Sequence, residues 1–141
     1  MSWDSRFVFV NLFCVRYNKF MKILIGDDSP LILDILTAAF KRAGYEPITA
    51  QNGAEVLKKA MGFLPDAILM DYAMPMLDGL SVLRQLKASP LTRDVRVYLL
   101  SGFSDGKMLQ QIKEAGANGF FVKPFDVHEV VDRICKDVAD L

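Results

Sequence analysis

Three aspartates, a serine and a lysine each stand where a short apolar run ends, and that placement defines the chemistry open to this chain. Ile23-Leu24-Ile25 runs into Gly26-Asp27-Asp28, and Ala67-Ile68-Leu69-Met70 ends at Asp71, followed by Tyr72-Ala73-Met74-Pro75. Val97-Tyr98-Leu99-Leu100 ends at Ser101-Gly102, and Phe120-Phe121-Val122 ends at Lys123-Pro124-Phe125. Clustered carboxylates repel one another unless a cation sits among them. Oxygen donors suit a hard ion, and Mg2+ typically keeps several waters beside one or two protein carboxylates. A carboxylate can also act as a nucleophile in covalent catalysis. An ammonium group and a hydroxyl suit the oxygens of a phosphoryl group. The combination points to a metal-and-phosphoryl site.

Such a site needs elements that bring five residues together from positions far apart in the chain. Short continuous apolar runs bounded by turn signals are the pattern of strands buried on both faces. If the strands are parallel, their carboxyl ends meet along one edge, where open α/β sheets place their crevices. From Met21 onward, strands and helices alternate at short spacing, which predicts a doubly wound parallel sheet. The first helix is expected near Ser29-Pro30, capped by Asp28 or Ser29, with Leu33, Leu36, Ala39 and Phe40 on its buried face and Gly44 as its stop. A short strand is expected around Pro47–Ala50, then a helix from Asn52-Gly53 through Val56, Leu57 and Ala60. Asp78-Gly79 opens a helix carrying Leu80, Leu83 and Leu86. Ser104-Asp105 caps one from about Gly106 to Ala115, closed by Gly116. The last starts after Asp126 and buries Val127, Val130, Val131 and Ile134. The reading totals five strands and five helices.

A chain of 141 residues with an apolar share of 52% is read as one folded domain with a substantial core. Its formal net charge of zero and lack of a Lys/Arg run suggest neither a nucleic-acid nor an anionic-membrane surface. Cys14 and Cys135 fit no zinc or redox spacing and are read as two unpaired thiols in a reducing compartment. The first twenty residues stand apart. Phe7–Val15 is apolar at every position but Asn11, too short to span a bilayer as a helix, and followed by no small-x-small cleavage site. Residues 1–20 are read as an extension ahead of a natural start at Met21, from an early-assigned start codon or from cloning. If they are native and ordered, they form an extra element covering apolar surface.

With all four motifs in order, residues 21–141 resemble the receiver domains of two-component response regulators, of the CheY-like type. The resemblance implies a five-stranded sheet of order 2-1-3-4-5 with five helices. It makes Asp71 the phosphoacceptor, with Lys123 and Ser101 assisting the transfer. It implies Mg2+ held by Asp28, Asp71 and the backbone carbonyl of Ala73, with Asp27 acting mainly through a bound water. It also implies a cis Lys123-Pro124 bond and a switch in which the Ser101 hydroxyl moves toward the phosphoryl group while Phe120 turns inward. The implied donor is a phosphohistidine on a sensor kinase or phosphotransfer protein, and the output is a changed contact with a downstream protein. The expected protein is a cytoplasmic, stand-alone receiver, with no room for an output domain. As an enzyme it catalyses only its own phosphorylation and dephosphorylation. Leu31 and Ile32, on the helix face that family receivers dock against partners, form a candidate contact patch. Ala73 and Phe103 flank the site and should influence water access.

Rival readings fit the residues less well. A flavin site on a similar sheet needs a Ser/Thr/Gly-rich phosphate loop after the first strand, where Asp27-Asp28 has the wrong charge. Phosphatases with an Asp nucleophile usually carry a second Asp two residues later, and Ala73 occupies that place. The alternative of weight is a receiver-like interaction module that is never phosphorylated. Degenerate modules of that kind usually lose an acidic-pair residue, the acceptor or the lysine, and all are present here. His128 is expected outside the crevice, Met70, Met74 and Met76 in core and loop packing, and Lys58, Lys59, Arg93 and Arg96 as solvated charges. The kinase, target, phosphoryl lifetime and oligomeric state have no signature in the sequence.

Overall fold

The chain builds an open five-stranded sheet in which every strand pairing is parallel, in the order β2-β1-β3-β4-β5. A computed structural model describes residues 20–102 and 105–139. The expectations for residues 1–19, for Phe103 and for Ser104 as a cap fall outside the described residues. In chain order the elements are β1 (Met21–Gly26), α1 (Pro30–Arg42), β2 (Tyr45–Ala50), α2 (Gly53–Phe63), β3 (Ala67–Asp71), α3 (Gly79–Ala88), β4 (Arg96–Ser101), α4 (Gly106–Glu114), β5 (Gly119–Val122) and α5 (Val127–Ala139). The expected strands, helices and strand order are all present.

The period of two along each strand divides the interior into two apolar clusters. Ile23, Ile25, Ala67, Leu69, Tyr98 and Leu100 face α1 and α5, where Leu36, Phe40, Val130 and Ile134 complete the packing. Leu24, Ile68, Met70, Val97 and Leu99 face the other way, against Val56, Leu83, Leu86 and Ile112 of α2, α3 and α4. Continuous apolar runs are required because both faces of the sheet are covered. Within the first cluster, burial and then Asp137 push the Tyr98 phenol well above its ordinary range, and its hydroxyl donates to Asp137 Oδ2 at 2.8 Å.

Helix starts follow local capping chemistry. Ser29 Oγ accepts from the Ile32 amide, Asn52 Oδ1 from Glu55, Asp78 Oδ1 from Ser81 and Asp105 Oδ1 from Met108. Each such cap contributes about 1 kcal/mol. Ser29 is the cap of α1, which leaves Asp28 for the crevice. Gly44 and Gly116 take left-handed φ values of 89° and 100° at the ends of α1 and α4, as their helix-stop reading requires.

Four details depart from the sequence reading. β2 begins at Tyr45, two residues before the expected start, because parallel pairing with Met21 and Lys22 recruits Tyr45 and Glu46 ahead of Pro47. Lys59 is more than a solvated charge: its Nζ donates to the Thr49 carbonyl at the sheet's edge and pairs with Glu55 at 2.8 Å. With Pro47 lacking an N–H, β2 presents a blunted edge. Ile32 is partly buried against the α1 cluster, so the exposed apolar pair on α1 is Leu31 and Ile35, one helical turn apart. Met70 and Met74 pack inward, but Met76 is 81% exposed at a left-handed φ of 72°.

That last position generates a prediction. A left-handed φ costs an L-residue about 1–2 kcal/mol, while glycine's greater unfolded-state freedom costs only about 0.4–1 kcal/mol. Met76 has little packing to lose, so Met76→Gly should raise stability by about 0.5–1 kcal/mol. Urea unfolding with an unshifted or lowered midpoint would contradict this account.

Candidate functional site

The parallel arrangement places the ends of β1, β3, β4 and β5 side by side, and the polar residues that follow those runs converge there. Carboxylate oxygens of Asp27, Asp28 and Asp71 all lie within 4.8 Å of one another. Asp27 is 1% exposed and Asp71 6%, whereas Asp28 opens to solvent. Lys123 reaches across from the end of β5, its Nζ 2.9 Å from Asp71 Oδ2 and 3.3 Å from Asp27 Oδ2. The Lys123-Pro124 peptide is cis.

The electrostatics follow from crowding. Burial, with the nearby Asp71 charge adding to it, raises the Asp27 carboxyl above its ordinary value, although the Ser29 amide and Lys123 pull the other way. The Ser29 N–H donates to Asp27 Oδ1 at 2.9 Å. For Lys123, burial acts to lower the ammonium, but the bond and charge of Asp71, helped by Asp27, outweigh it and leave the group raised. At an effective dielectric of about 20, a unit pair at such distances attracts by roughly 5 kcal/mol before desolvation is set against it. A set of three oxygen donors at this separation fits a hard divalent ion, and it does not fit a soft one.

The loop after β3 is held by backbone bonds: Tyr72 N–H to Leu100 O at 2.7 Å, Gly79 N–H to Tyr72 O at 2.7 Å, and Leu77 N–H to Pro75 O at 2.8 Å. The Ala73 amide donates to Asp71 Oδ1 at 3.3 Å, and Ala73 is exposed at the mouth of the crevice. Ser101 closes β4 at 2% exposure, and its carbonyl accepts the Lys123 amide at 2.7 Å. Phe120 pairs with Leu99 and packs partly buried in the α2–α4 cluster. Alternation along β4 puts Ser101 on the same face as Leu99, and therefore as Phe120. His128 is exposed on α5 and is not among the residues brought together in the crevice.

Two residues that position this loop read in the sequence as ordinary turn signals. A Cβ on Gly79 would lie 2.7 Å from the Asp71 carbonyl oxygen and 2.9 Å from Tyr72 Cα. A Cβ on Gly53 would collide with the Leu77 carbonyl. The starts of α2 and α3 therefore press directly on the loop that carries Asp71, an approach open only to glycine. Dipeptides such as Asn52-Gly53 and Asp78-Gly79 announce a turn but not a close contact with another segment.

An open sheet of this order, with an acidic crevice and a lysine at its carboxyl edge, defines the CheY-like class. The solved structure of the Vibrio cholerae chemotaxis protein CheY4 has a TM-score of 0.79 at 28% identity, covering 84% of this chain and 98% of that one. A response regulator from Chloroflexus aurantiacus, described as putative in its structure, has a TM-score of 0.80 at 32% identity, covering 87% and 100%. The family model for the response regulator receiver domain matches residues 23–135, and the chain belongs to that family. Among curated relatives, sporulation initiation phosphotransferase F of Bacillus subtilis is 35% identical over 115 residues, 82% of this chain and 91% of its own length. The transcriptional regulatory protein PrrA of Mycobacterium tuberculosis is 40% identical, and the match spans only 48% of it. Receiver domains are signalling modules of two-component systems, and phosphorylation and Mg2+ binding are typical of them. Among the described residues, no helix is long and apolar enough to cross a membrane.

Gly79→Ala tests the close-approach account. Forcing a methyl into this contact should lower stability by about 1–3 kcal/mol, the usual range for overpacking. An unchanged denaturant midpoint would show that the loop has room to spare.

Proposed function

We propose that this chain is a cytoplasmic receiver that accepts a phosphoryl group from a phosphohistidine donor onto Asp71 and signals through changed protein contacts. The observation that carries the reading is the Lys123 ammonium bridging Asp71 and Asp27 beside a third carboxylate. In the transfer, an Asp71 carboxylate oxygen attacks phosphorus, an acyl phosphate bond forms and the phosphorus–nitrogen bond of the donor breaks. The imidazole nitrogen keeps that electron pair. Lys123, released from Asp71 Oδ2, takes a phosphoryl oxygen, and the Ser101 hydroxyl donates to another. Asp27, Asp28, Asp71 and the Ala73 carbonyl would hold Mg2+, which when bound neutralises phosphoryl charge and orients the group.

The switch follows from the same contacts. Phosphate can shift a two-state equilibrium only through interactions that differ between the states. Ser101 and Lys123 supply them, and Phe120, on the Ser101 face, reports the shift by rotamer and packing because it has no phenolic hydroxyl. The partners are a histidine kinase or histidine phosphotransfer protein upstream and a protein target downstream. Likeness to a relative named as a phosphotransferase supports a place within a phosphorelay.

Intact mass after incubation with acetyl phosphate and Mg2+ tests the chemistry. One added phosphoryl group is expected, and none in Asp71→Asn or without metal. An unmodified wild type with metal binding confirmed separately, and still unmodified by a histidine phosphodonor, would favour a phosphorylation-independent interaction module. Docking is tested separately. Leu31 and Ile35, 68% and 42% exposed, form the apolar stripe on α1 beside the crevice. The double change Leu31→Ser/Ile35→Ser should slow transfer from a histidine-bearing partner about tenfold or more, as losing central apolar contacts does. Labelling by acetyl phosphate should be unaltered, and equal slowing of both would remove the docking role.

A further inference from the structure

The tightest bend in the loop after β3 falls on a residue poorly suited to it. The Leu77 amide donates to the Pro75 carbonyl at 2.8 Å, which makes Met76 the centre of a three-residue turn. Its φ of 72° belongs to the rare, strained form of that turn, which glycine or asparagine would adopt more easily. The side chain offsets little of that strain inside the fold, because it projects into solvent. Strain of this kind persists where the surroundings enforce it, and it concentrates at ligand clamps and active sites. Here both flanks of the bend are fixed. The Gly79 amide bonds to the Tyr72 carbonyl at 2.7 Å, and the Leu77 carbonyl lies against Gly53. Met76 is thereby held out at a defined place.

That place is the rim of the crevice. Two other exposed apolar side chains stand on the same rim, each close in sequence to a residue of the site. Leu31, 68% exposed, lies three residues after Asp28, and Val122, 45% exposed, directly precedes Lys123. Leu31 belongs to α1, on one face of the sheet, and Met76 leads into α3, on the other. The two therefore occupy opposite lips of the acidic cluster, and Val122 closes the far end at β5. From β1 to β5 the carboxyl edge crosses three strand spacings, about 14 Å. A helix with its side chains is about 10–12 Å across, so the rim seats one helix and little more. Apolar contacts ringing a polar centre exclude water from it.

We propose that Met76, with Leu31 and Val122, forms an apolar collar that seats the histidine-bearing helix of a phosphodonor protein over the aspartate crevice. The inference rests on the phosphoacceptor reading of Asp71 and makes Met76 a specificity-determining residue for it. Transfer needs the imidazole nitrogen, the phosphorus and the Asp71 oxygen in line, and contacts around the rim hold a helix in that pose. A small donor presents no such surface and gains nothing from the collar.

The test compares two donors: a phosphorylated histidine phosphotransfer domain, taken as the fastest of a panel, and phosphoramidate. Both give up a phosphoryl group from nitrogen, and only the first brings a helix. In Met76→Gln, which keeps the side-chain length, and in Met76→Gly, the ratio of domain rate to phosphoramidate rate should fall about fivefold, the effect of ~1 kcal/mol. Met76→Gly should do so while its urea midpoint rises, because the strain is relieved as the contact is lost. An unchanged ratio would overturn the proposal. Equal slowing with both donors would also overturn it, by assigning Met76 to the placement of Asp71. Phosphoramidate labelling with no transfer from any domain of the panel would exclude the helix as occupant. A dimer mass lost in Met76→Gln would give the collar to a second copy instead. A wild type labelled by neither donor would bring down the acceptor reading itself, and the collar with it.

Discussion

Two buried carboxylates, Asp27 and Asp71, stand together under a single ammonium group, and the carboxyl edge of the sheet is organised around that contact. Lys123 touches both, at 3.3 and 2.9 Å, and so links the ends of β1, β3 and β5. Burial, with the Asp71 charge beside it, lifts the Asp27 carboxyl above its ordinary value, and Lys123 acts against that rise. The arrangement is electrostatically unsaturated by design of its donors: three acids face one lysine within the same few ångströms. The crevice therefore favours further positive charge.

Holding those groups still is the task of the backbone around them. The loop from Asp71 to Gly79 bonds back to β4 and to itself, and the helices on either side approach it at Gly53 and Gly79 without intervening side chains. Ser101 belongs to the same rigid set through its carbonyl bond to the Lys123 amide. A change at Asp71 thus meets β4 and β5 together, and Phe120 sits on the face where both would register it.

Strand ends were legible in the sequence because buried parallel strands need unbroken apolar runs, so a polar residue at the end of one has to serve something. Helix caps were legible for the same local reason, and Asp105 and Asn52 perform the roles their types suggest. What stayed hidden depends on contacts between distant segments. Gly53 and Gly79 look like turn residues until the Asp71 loop is laid against them. Lys59 looks solvated until the Thr49 carbonyl is found beside it, and Ile35 replaces Ile32 on the exposed stripe because Ile32 packs partly buried against the core cluster under α1.

The separation of Lys123 from Asp27 by 96 positions carries a consequence for how the molecule comes into being. Synthesis delivers the acid pair and the acceptor long before the lysine, and domains emerging from the ribosome begin from the amino end. Until the last strand and helix have docked, the nascent chain holds an acidic cluster without its counter-charge. The lysine contact on which the proposed phosphoryl chemistry rests is thereby tied to completion of the sheet. A chain that stops short of β5 would lack the Lys123 contact to Asp27 and Asp71 altogether.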